Sequence, residues 1–370
     1  MKRFWILLGT EFKAWRRDPI TALGGFIPPT LILIAFGLLL GGRLSFKLAV
    51  IDHDEGPYGA VLGETLAEVI SPFGVPYYDV LDLPEEEARE TYHAYRIDGL
   101  WVIPRDFSSR LEAGENPAIE MYFINYNDDR AKNHRIYSAE ILWRFYEKIG
   151  QPAPPIALAE VYPRPEMVHW FPVIAIGVTL LAVTLGAAFN IYALTYKEQI
   201  FKLTLEFGLA PRSLLWVLLP KTLLALIAGI VTGTTFLGIL YIWLGVWPGR
   251  FLWAVWLLFG LVALFWIALA LAVGLRARSY MPGAIGAVLG ALIVFFVSGG
   301  LNLWRWNAHN VNWFSWLFPY IYAVDPLRDM ILFNAWPVDW NSTLSITGAF
   351  AVVSLAAGWS FSAHRIRRLG

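Results

Sequence analysis

Long apolar segments dominate the pattern of this 370-residue chain. Six of them contain no Asp, Glu, Lys or Arg, and each is long enough for a helix to cross a bilayer, which takes about 20 residues. They cover residues 20–42, 168–196, 222–249, 251–275, 279–304 and 340–363. The pattern predicts an α-helical integral membrane protein with six transmembrane helices.

The polar stretch between the first two apolar segments alternates strand and helix patterns. "FKLAVIDHD", "VPYYDVLDL", "IDGLWVIP" and "AIEMYFIN" are typical of strands, and helix patterns follow each of them, such as "PEEEARETYHAY" with Pro and Glu at its start. Strands that alternate with helices favour an α/β domain with a small sheet. We therefore predict that residues 43–166 form an α/β domain inserted between the first two membrane helices.

Composition supports the membrane class. The chain is 57% hydrophobic and only 16% charged, and it has 18 Trp, a residue enriched at membrane interfaces. Cys is absent, which excludes disulfides and thiolate metal sites.

Lys and Arg are concentrated in the short segments that flank the apolar runs. The N-terminal flank, the turns after the second and fourth runs and the C-terminal flank carry 14 basic and 4 acidic residues, whereas residues 43–166 hold 22 of the 29 Asp and Glu. Short basic flanks face the cytosol. We expect both termini in the cytosol and the α/β domain outside.

Residues 1–19, before the first predicted span (20–42), have an amphipathic pattern. Phe4, Leu8, Phe12 and Trp15 share one helical face. We expect an interfacial helix in which Phe12, Trp15, Arg16 and Arg17 contact the cytosolic membrane surface and its lipid. The alternative is an ordinary basic flank.

A second amphipathic pattern covers residues 196–207. Tyr196, Ile200, Leu203 and Phe207 form an apolar stripe, and Glu198 and Lys202 are spaced to pair at i and i+4 on the opposite face. Gly208 and Pro211 end the pattern. We predict a cytosolic helix of about three turns whose polar face is free to contact a partner.

Two further sets of polar residues occur among the apolar ones. Thr179, Thr184 and Asn190 are the main polar groups of the second span and are candidates for a substrate path. Residues 301–340 are rich in Trp and Asn, which favours a re-entrant or interfacial segment in the outer leaflet, with Pro319, Asp325 and Arg328 as its notable residues. Buried ionisable relays, which ion-coupled transporters use, are not evident, so an external energy source is favoured.

The stretch "KEQIFKLTLEFGLAP" resembles the coupling helix of ABC exporter permeases of the ABC-2 type (type V exporters). Thr204, Leu205, Glu206 and Pro211 match that pattern, whereas Leu203 stands where the pattern has Gly. Two further runs resemble the subgroup with a large extracytoplasmic domain: "IPRDFSSRLEAG", through Ile103, Pro104, Asp106, Phe107, Leu111 and Gly114, and "FPYIYAVDPLR", through Pro319, Pro326, Leu327 and Arg328.

This resemblance implies a permease subunit with a five-helix membrane domain over residues 167–370, in a bacterial or archaeal cell (inner) membrane. It implies a dimer with a second copy or a paralogue and a separate ABC ATPase subunit, on which ATP and Mg would bind. The sequence has no Gly-Lys pair and hence no P-loop. The residues expected to couple to the ATPase are Lys197, Glu198, Lys202, Thr204, Glu206, Pro211 and Arg212.

We expect export of a hydrophobic or amphipathic substrate such as a drug, a lipid or a lipid-linked molecule, and no enzyme chemistry, metal or nucleic acid in this chain. Two alternatives remain open. One is a non-transporting envelope or secretion-apparatus protein whose outer domain binds a partner. The other is a lipid-modifying membrane enzyme using His309, Asp325, Arg328 or Asp329.

Overall fold

The computed structural model describes residues 2–40, 45–54, 56–72, 74–94, 96–115, 117–123, 128–150, 170–209, 214–277, 279–301 and 313–369. The chain divides into two compact units. A helical unit comprises Met1–Gly41 and Val168–Gly370, and an α/β unit comprises Gly42–Met167.

The elements of the described residues follow in chain order. From the first residue to the end of the α/β unit they are α1 (Lys2–Arg16), α2 (Pro19–Leu40), β1 (Phe46–Asp52), α3 (Pro57–Glu68), β2 (Tyr78–Leu81), α4 (Glu85–His93), β3 (Gly99–Ile103), α5 (Phe107–Glu112), β4 (Glu120–Phe123) and α6 (Asp128–Lys148). The rest of the helical unit has α7 (Trp170–Ile200), α8 (Leu203–Leu209), α9 (Leu215–Leu244), the short 3-10 helix Gly249–Phe251, α10 (Leu252–Gly274), α11 (Tyr280–Val297), α12 (Tyr320–Leu332) and α13 (Trp340–Leu369).

The α/β unit contains one four-stranded sheet in the order β2-β1-β3-β4. β1 pairs in parallel with β2 and β3, and β4 is antiparallel to β3. All five residues of β3, "GLWVI", are buried because helices cover both faces of the sheet. Trp101 packs on the face covered by α3, α5 and α6, and Leu100 packs on the face covered by α4. The α/β class and the alternation of elements agree with the sequence prediction.

The acidic turn after β1 is a structural element of this unit. The Asp54 carboxylate accepts hydrogen bonds from the backbone N–H of Gly59 (3.1 Å) and from the backbone N–H (3.0 Å) and hydroxyl (2.5 Å) of Ser108. Burial opposes ionisation, but these hydrogen bonds outweigh it and lower the pKa of Asp54 below its usual value. Asp54 therefore joins the end of β1 to α3 and α5. In the part of the chain that the structure describes, no group of three or more His, Asp and Glu is arranged to hold a metal.

Helix α7 forms the centre of the helical unit. It packs against α2, α9, α10, α11 and α12, and nearly every residue from Phe171 to Thr195 is buried. This burial explains why its sequence is apolar on all sides and not amphipathic.

Five helical segments of the described residues are long and apolar enough to cross a membrane. They are Trp170–Ile200, Trp216–Leu244, Gly249–Gly274, Tyr280–Val297 and Trp340–Arg368. Helix α2 contains a shorter apolar stretch, Leu23–Leu38. Several boundaries differ from the apolar runs of the sequence. Helix α9 begins at Leu215 and includes Lys221, and α11 ends at Val297.

Glycine allows α2 and α7 to approach closely. A Cβ added at Gly25 would lie 2.7 Å from the Cα of Gly186 and 3.1 Å from the carbonyl oxygen of Leu185. Both contacts are with backbone, which cannot move aside as a flexible side chain could. The interface between α2 and α7 therefore requires Gly at position 25.

We predict that Gly25→Ala destabilises the helical unit by about 1–3 kcal/mol because it forces α2 away from α7. The measurement is the thermal unfolding midpoint of the detergent-solubilised protein. Gly348→Ala is the matched control, since a Cβ added there meets no atom within 4 Å. Equal midpoints for the two variants would contradict the close packing of α2 on α7.

Candidate functional site

Lys221 lies in the second turn of α9, and its side chain is only 1% exposed. A buried ammonium group is strongly destabilising unless opposite charges accompany it. Two carboxylates do so: Glu198, near the end of α7, and Glu11 of α1, whose Oε1 lies 3.3 Å from the Lys221 Nζ. We refer to Lys221, Glu198 and Glu11 as the ion triad. The Lys221 Nζ also lies 5.3 Å from the ring centroid of Phe207, so four helices, α1, α7, α8 and α9, meet at one charge.

A second ion pair lies beside the triad. Lys197 of α7 pairs with Asp18, which lies between α1 and α2 and also accepts a hydrogen bond from the Thr21 hydroxyl. Burial raises the pKa of Asp18, but the hydrogen bonds from Lys197 and Thr21 outweigh it, and the pKa lies below its usual value. Asp18 is therefore held ionised, and it connects the start of α2 to the end of α7.

Gln199 makes the third polar connection at this end of α7. With its amide oriented to donate, its nitrogen lies 3.0 Å from the carbonyl of Gly274 and 3.2 Å from that of Ala277. These carbonyls belong to the last turn of α10 and the residues after it. The consecutive residues Lys197, Glu198 and Gln199 thus attach α7 to α1, α9 and α10, and we call this the triad end of the helical unit.

The continuous helix predicted over residues 196–207 is wrong. Residues 196–200 are the last turn of α7, Phe201 and Lys202 form a turn, and α8 begins at Leu203. Lys202 has φ of 57°, a left-handed conformation that ends a helix. The predicted pair between Glu198 and Lys202 is absent from the described structure because Glu198 pairs with Lys221. The helical periodicity predicts that Glu198 faces solvent. In the structure its side chain faces the interior, because it pairs with the buried Lys221.

Helix α8 packs on α13 and α7, and Thr204 is buried there. The surface around it is unusually apolar. Ile200, Phe201 and Leu209 are 55%, 71% and 72% exposed, and the exposed Lys202 and Glu206 flank them. We call these five residues the exposed turn. Pro211 and Arg212, also predicted as coupling residues, lie outside the described residues.

The predicted interfacial helix and the predicted substrate path meet at one hydrogen bond. The Trp15 indole N–H donates to the Asn190 side-chain oxygen, and the Asn190 amide nitrogen donates to the carbonyl of Gly186 at 2.5 Å. Phe12 and Arg16 are exposed on α1, and Arg17 is exposed directly after it. Trp15 therefore anchors α1 to the centre of α7.

The other two residues of the predicted substrate path, Thr179 and Thr184, have no such contact with another helix that the structure describes. Thr179 donates to the carbonyl of Ala175 (2.9 Å), and the buried hydroxyl of Thr184 has no hydrogen-bond partner among the described residues. Asn190, in contrast, lines a cavity of about 650 Å³.

A second polar cluster holds the opposite end of α7. Arg328 of α12 pairs with Asp325 (2.8 Å) and donates to the carbonyls of Val173 (3.2 Å), Gly299 (2.7 Å) and Gly300 (3.1 Å). The Tyr320 hydroxyl, next to Pro319, donates to the carbonyl of Gly177 at 2.6 Å. These contacts attach α12 to α7 and to the residues after α11. Residues 302–312 of the predicted re-entrant segment (301–340) lie outside the described structure.

Comparison with known proteins decides the class. A family model described as ABC-2 family transporter protein matches residues 23–360, which is most of the chain. The chain belongs to the ABC-2 transporter family. The resemblance found in the sequence is thereby confirmed, and so is the expectation of a multi-pass membrane permease. Members of this family are permease subunits of ABC transporters and are not themselves enzymes.

A curated relative supports the same class. The linearmycin resistance permease protein LnrN of Bacillus subtilis (strain 168) is 27% identical over 120 residues. The match covers 32% of this chain and 30% of that permease. An ABC-2 permease with a role in resistance fits efflux.

The sequence pattern alone does not reveal the ion triad, because Lys221 directly precedes an apolar run and looks there like an ordinary basic flank. Its signal is visible in retrospect. The four basic flanking segments contain only four acids, Glu11, Asp18, Glu198 and Glu206. Three of them form ion pairs inside the helical unit, and Glu206 makes none with the described residues. Scarce acids among many bases are candidates for internal pairs.

We predict that Lys221→Met destabilises the protein by about 3–5 kcal/mol because it leaves two carboxylates without their buried cation. Adding Glu198→Gln to Lys221→Met should restore part of this loss, since it removes one unpaired charge. The measurement is the thermal unfolding midpoint in detergent. Lys202→Met, at an exposed lysine, serves as the control and should change stability by less than about 0.5 kcal/mol. If Lys221→Met behaved like Lys202→Met, the triad would carry no structural role.

Proposed function

We propose that this chain is the transmembrane subunit of an ATP-driven exporter and that the exposed turn is its contact with the ATPase. The observation that carries the proposal is the exposed turn itself, an apolar surface fixed to the centre of the helical unit. Ile200 and Phe201 directly follow the three residues that attach α7 to α1, α9 and α10. Any displacement of the turn would therefore act on the whole triad end.

The charge distribution supports placing the triad end in the cytosol. The flanks that meet there are basic, and short basic segments stay on the cytosolic side. The α/β unit would then be extracytoplasmic. In the same proposal α2 is the sixth span, because its 22 residues extend about 33 Å, enough to cross the hydrocarbon core.

The chemistry of the exposed turn suits a protein partner. Phe201 and Leu209 present large apolar side chains, which on a soluble face indicate an interaction site. Lys202 and Glu206 supply one charge of each sign at its rim. Apolar contact would then provide most of the binding energy, and the two charges would set orientation.

We expect the tagged protein, purified gently from its native membrane, to retain a P-loop ATPase that mass spectrometry identifies by its sequence. Phe201→Asp and Glu206→Arg should each lose that ATPase. Phe201→Asp would bury a charge at the contact, and Glu206→Arg would reverse a charge at its rim. Asp339→Arg is the control, an exposed charge reversal just before α13 at the opposite end of the unit.

An ATPase retained by all three variants would place the contact elsewhere. A complete absence of ATPase from the unaltered protein would overturn the exporter proposal. It would then favour the alternative of an envelope protein whose α/β unit binds a partner.

We further propose that two permease chains pair through α11. Met281, Ile285, Leu289 and Ile293 recur every four residues on one face of α11 and are each at least half exposed. Gly286 and Gly290 form a G-x-x-x-G spacing beside them, and a Cβ added at either meets no atom within 4 Å. Small residues at this spacing let membrane helices approach closely. This face has space for a second helix.

The absence of Cys allows a direct test of pairing. We expect Leu289→Cys to give disulfide-linked dimers in oxidised membranes, because identical residues meet near a two-fold axis. Val352→Cys, 69% exposed on α13, should remain monomeric under the same conditions. Cross-linking at Val352 without cross-linking at Leu289 would assign the interface to α13.

For the cargo, we propose a hydrophobic or amphipathic molecule. The buried Lys221 and Arg328 are ion-paired near the two ends of α7, and the cavity of about 650 Å³ in the helical unit has an almost entirely apolar lining. The resistance role in the name of the Bacillus relative supports efflux of such a compound.

A further inference from the structure

The cavity of about 650 Å³ lies between α1, α2 and α9. Its lining is almost entirely apolar and comes mainly from Trp5, Leu8, Gly9, Phe12, Leu23, Phe26, Ile227 and Val231. This volume is in the range of about 300–1,000 Å³ that small-molecule sites occupy.

The Asn, the two Thr and Trp15 in the lining already have hydrogen-bond partners. Asn190 bonds with Trp15 and with the carbonyl of Gly186. The hydroxyls of Thr232 and Thr235 donate to carbonyls of their own helix at 2.8 Å and 2.9 Å. The cavity therefore suits an apolar ligand, and such a ligand needs no polar group to bind there.

The rim of the cavity belongs to the membrane-facing surface. Leu23 of α2 and Ile227 and Val231 of α9 are each about half exposed, and they lie on helices apolar enough to be in a bilayer. An occupant would thus enter sideways from the lipid phase. Apolar chains are the only abundant ligand there.

Positive charge lies at the end of the cavity formed by the last turn of α1. Trp5, Gly9, Phe12 and Arg16 follow spacings of four, three and four, so Arg16 continues the face of α1 that lines the cavity. Lys13 and Arg17 lie beside it. These three side chains are exposed, and no ion pair joins them to the acids of the described residues.

We propose that the cavity binds one acyl chain of an anionic phospholipid of the surrounding membrane, with the lipid phosphate held by Arg16, Lys13 and Arg17. The cavity matches the chain in its apolar lining, and the cations match the head group in charge and in position at the membrane surface. The proposed lipid is a resident ligand, distinct from the exported cargo. The proposal requires that the helical unit lie in a membrane, and it does not depend on the ATPase contact.

Gly9 provides a direct test of the cavity. A Cβ added there meets no atom within 4 Å, so Gly9→Leu would place an isobutyl group in the cavity from an unobstructed position on α1. We expect native mass spectrometry of protein taken from phosphatidylglycerol–phosphatidylcholine nanodiscs to show one retained phosphatidylglycerol per chain, and Gly9→Leu to lose it. Gly348→Leu, on α13 at a site equally open, should retain it.

Arg16 tests the head-group part. We expect Arg16→Gln to weaken phosphatidylglycerol retention about five-fold, the effect of one cation at a membrane surface, while phosphatidylcholine retention stays unchanged. Arg367→Gln, an exposed arginine near the end of α13, is the control and should behave like the unaltered protein.

Three results would overturn the proposal. They are retention of the lipid by Gly9→Leu, equal retention of phosphatidylglycerol and phosphatidylcholine by the unaltered protein, or detergent as the sole bound species. A change of oligomeric state in Gly9→Leu without a change in bound lipid would also overturn it, because the cavity would then be a contact between chains. None of these measurements involves ATP hydrolysis. The lipid proposal can therefore be tested even if the exporter proposal is wrong.

Discussion

The buried charge of Lys221 constrains the arrangement of the helical unit. An ammonium group within an apolar helix requires opposite charge close by, and a pair that is broken costs more than it contributes when intact. Glu11 and Glu198 meet this requirement from helices far apart in sequence, and Phe207 covers the same group with its ring. Helix α1, the last turn of α7 and the second half of α8 thus all contact one ammonium group of α9. A chain with an apolar residue at 221 would lose the buried charge that draws Glu11 and Glu198 together and would leave both carboxylates without a cation.

Helix α7 connects the ion triad to a second polar cluster at the opposite end of the helical unit. At its triad end Lys197, Glu198 and Gln199 attach it to three neighbours, and at its other end Arg328 and Tyr320 hold the carbonyls of Val173 and Gly177. Between these ends nearly every residue of α7 is buried, and close packing of a buried helix resists bending. A force applied at the exposed turn would therefore reach the Arg328 cluster as a movement of the whole helix. In the proposed function, α7 would connect the ATPase contact at the exposed turn with the opposite end of the helical unit.

Sequence reasoning succeeded where one periodicity determines an element. The strands and helices of the α/β unit follow from alternating apolar patterns, and the helices apolar enough to span follow from uninterrupted runs. It failed at residues 196–207, where the same pattern fits both a free amphipathic helix and the end of a buried one. Glu198 and Gln199 are polar because they bond inside the unit, and only the distant Lys221 and Gly274 reveal this. Long-range polar partners leave no local periodicity, so the break at Lys202 and the ion triad could not be derived from the segment alone.

The two faces of α1 connect the proposed lipid site to the ion triad. Glu11 reaches the triad from one side of the helix, whereas Gly9 and Phe12 line the apolar cavity on another, and the Trp15 bond to Asn190 holds the helix between them. An amphipathic helix that lies only on the membrane surface would need neither a buried carboxylate nor a bonded indole. Lipid in the cavity would favour the position of α1 in which Glu11 can reach Lys221, because both contacts require the same placement of one short helix. The lipid composition of the membrane would then influence how often the ion triad is complete, and hence how firmly the end of α7 beside the exposed turn is held.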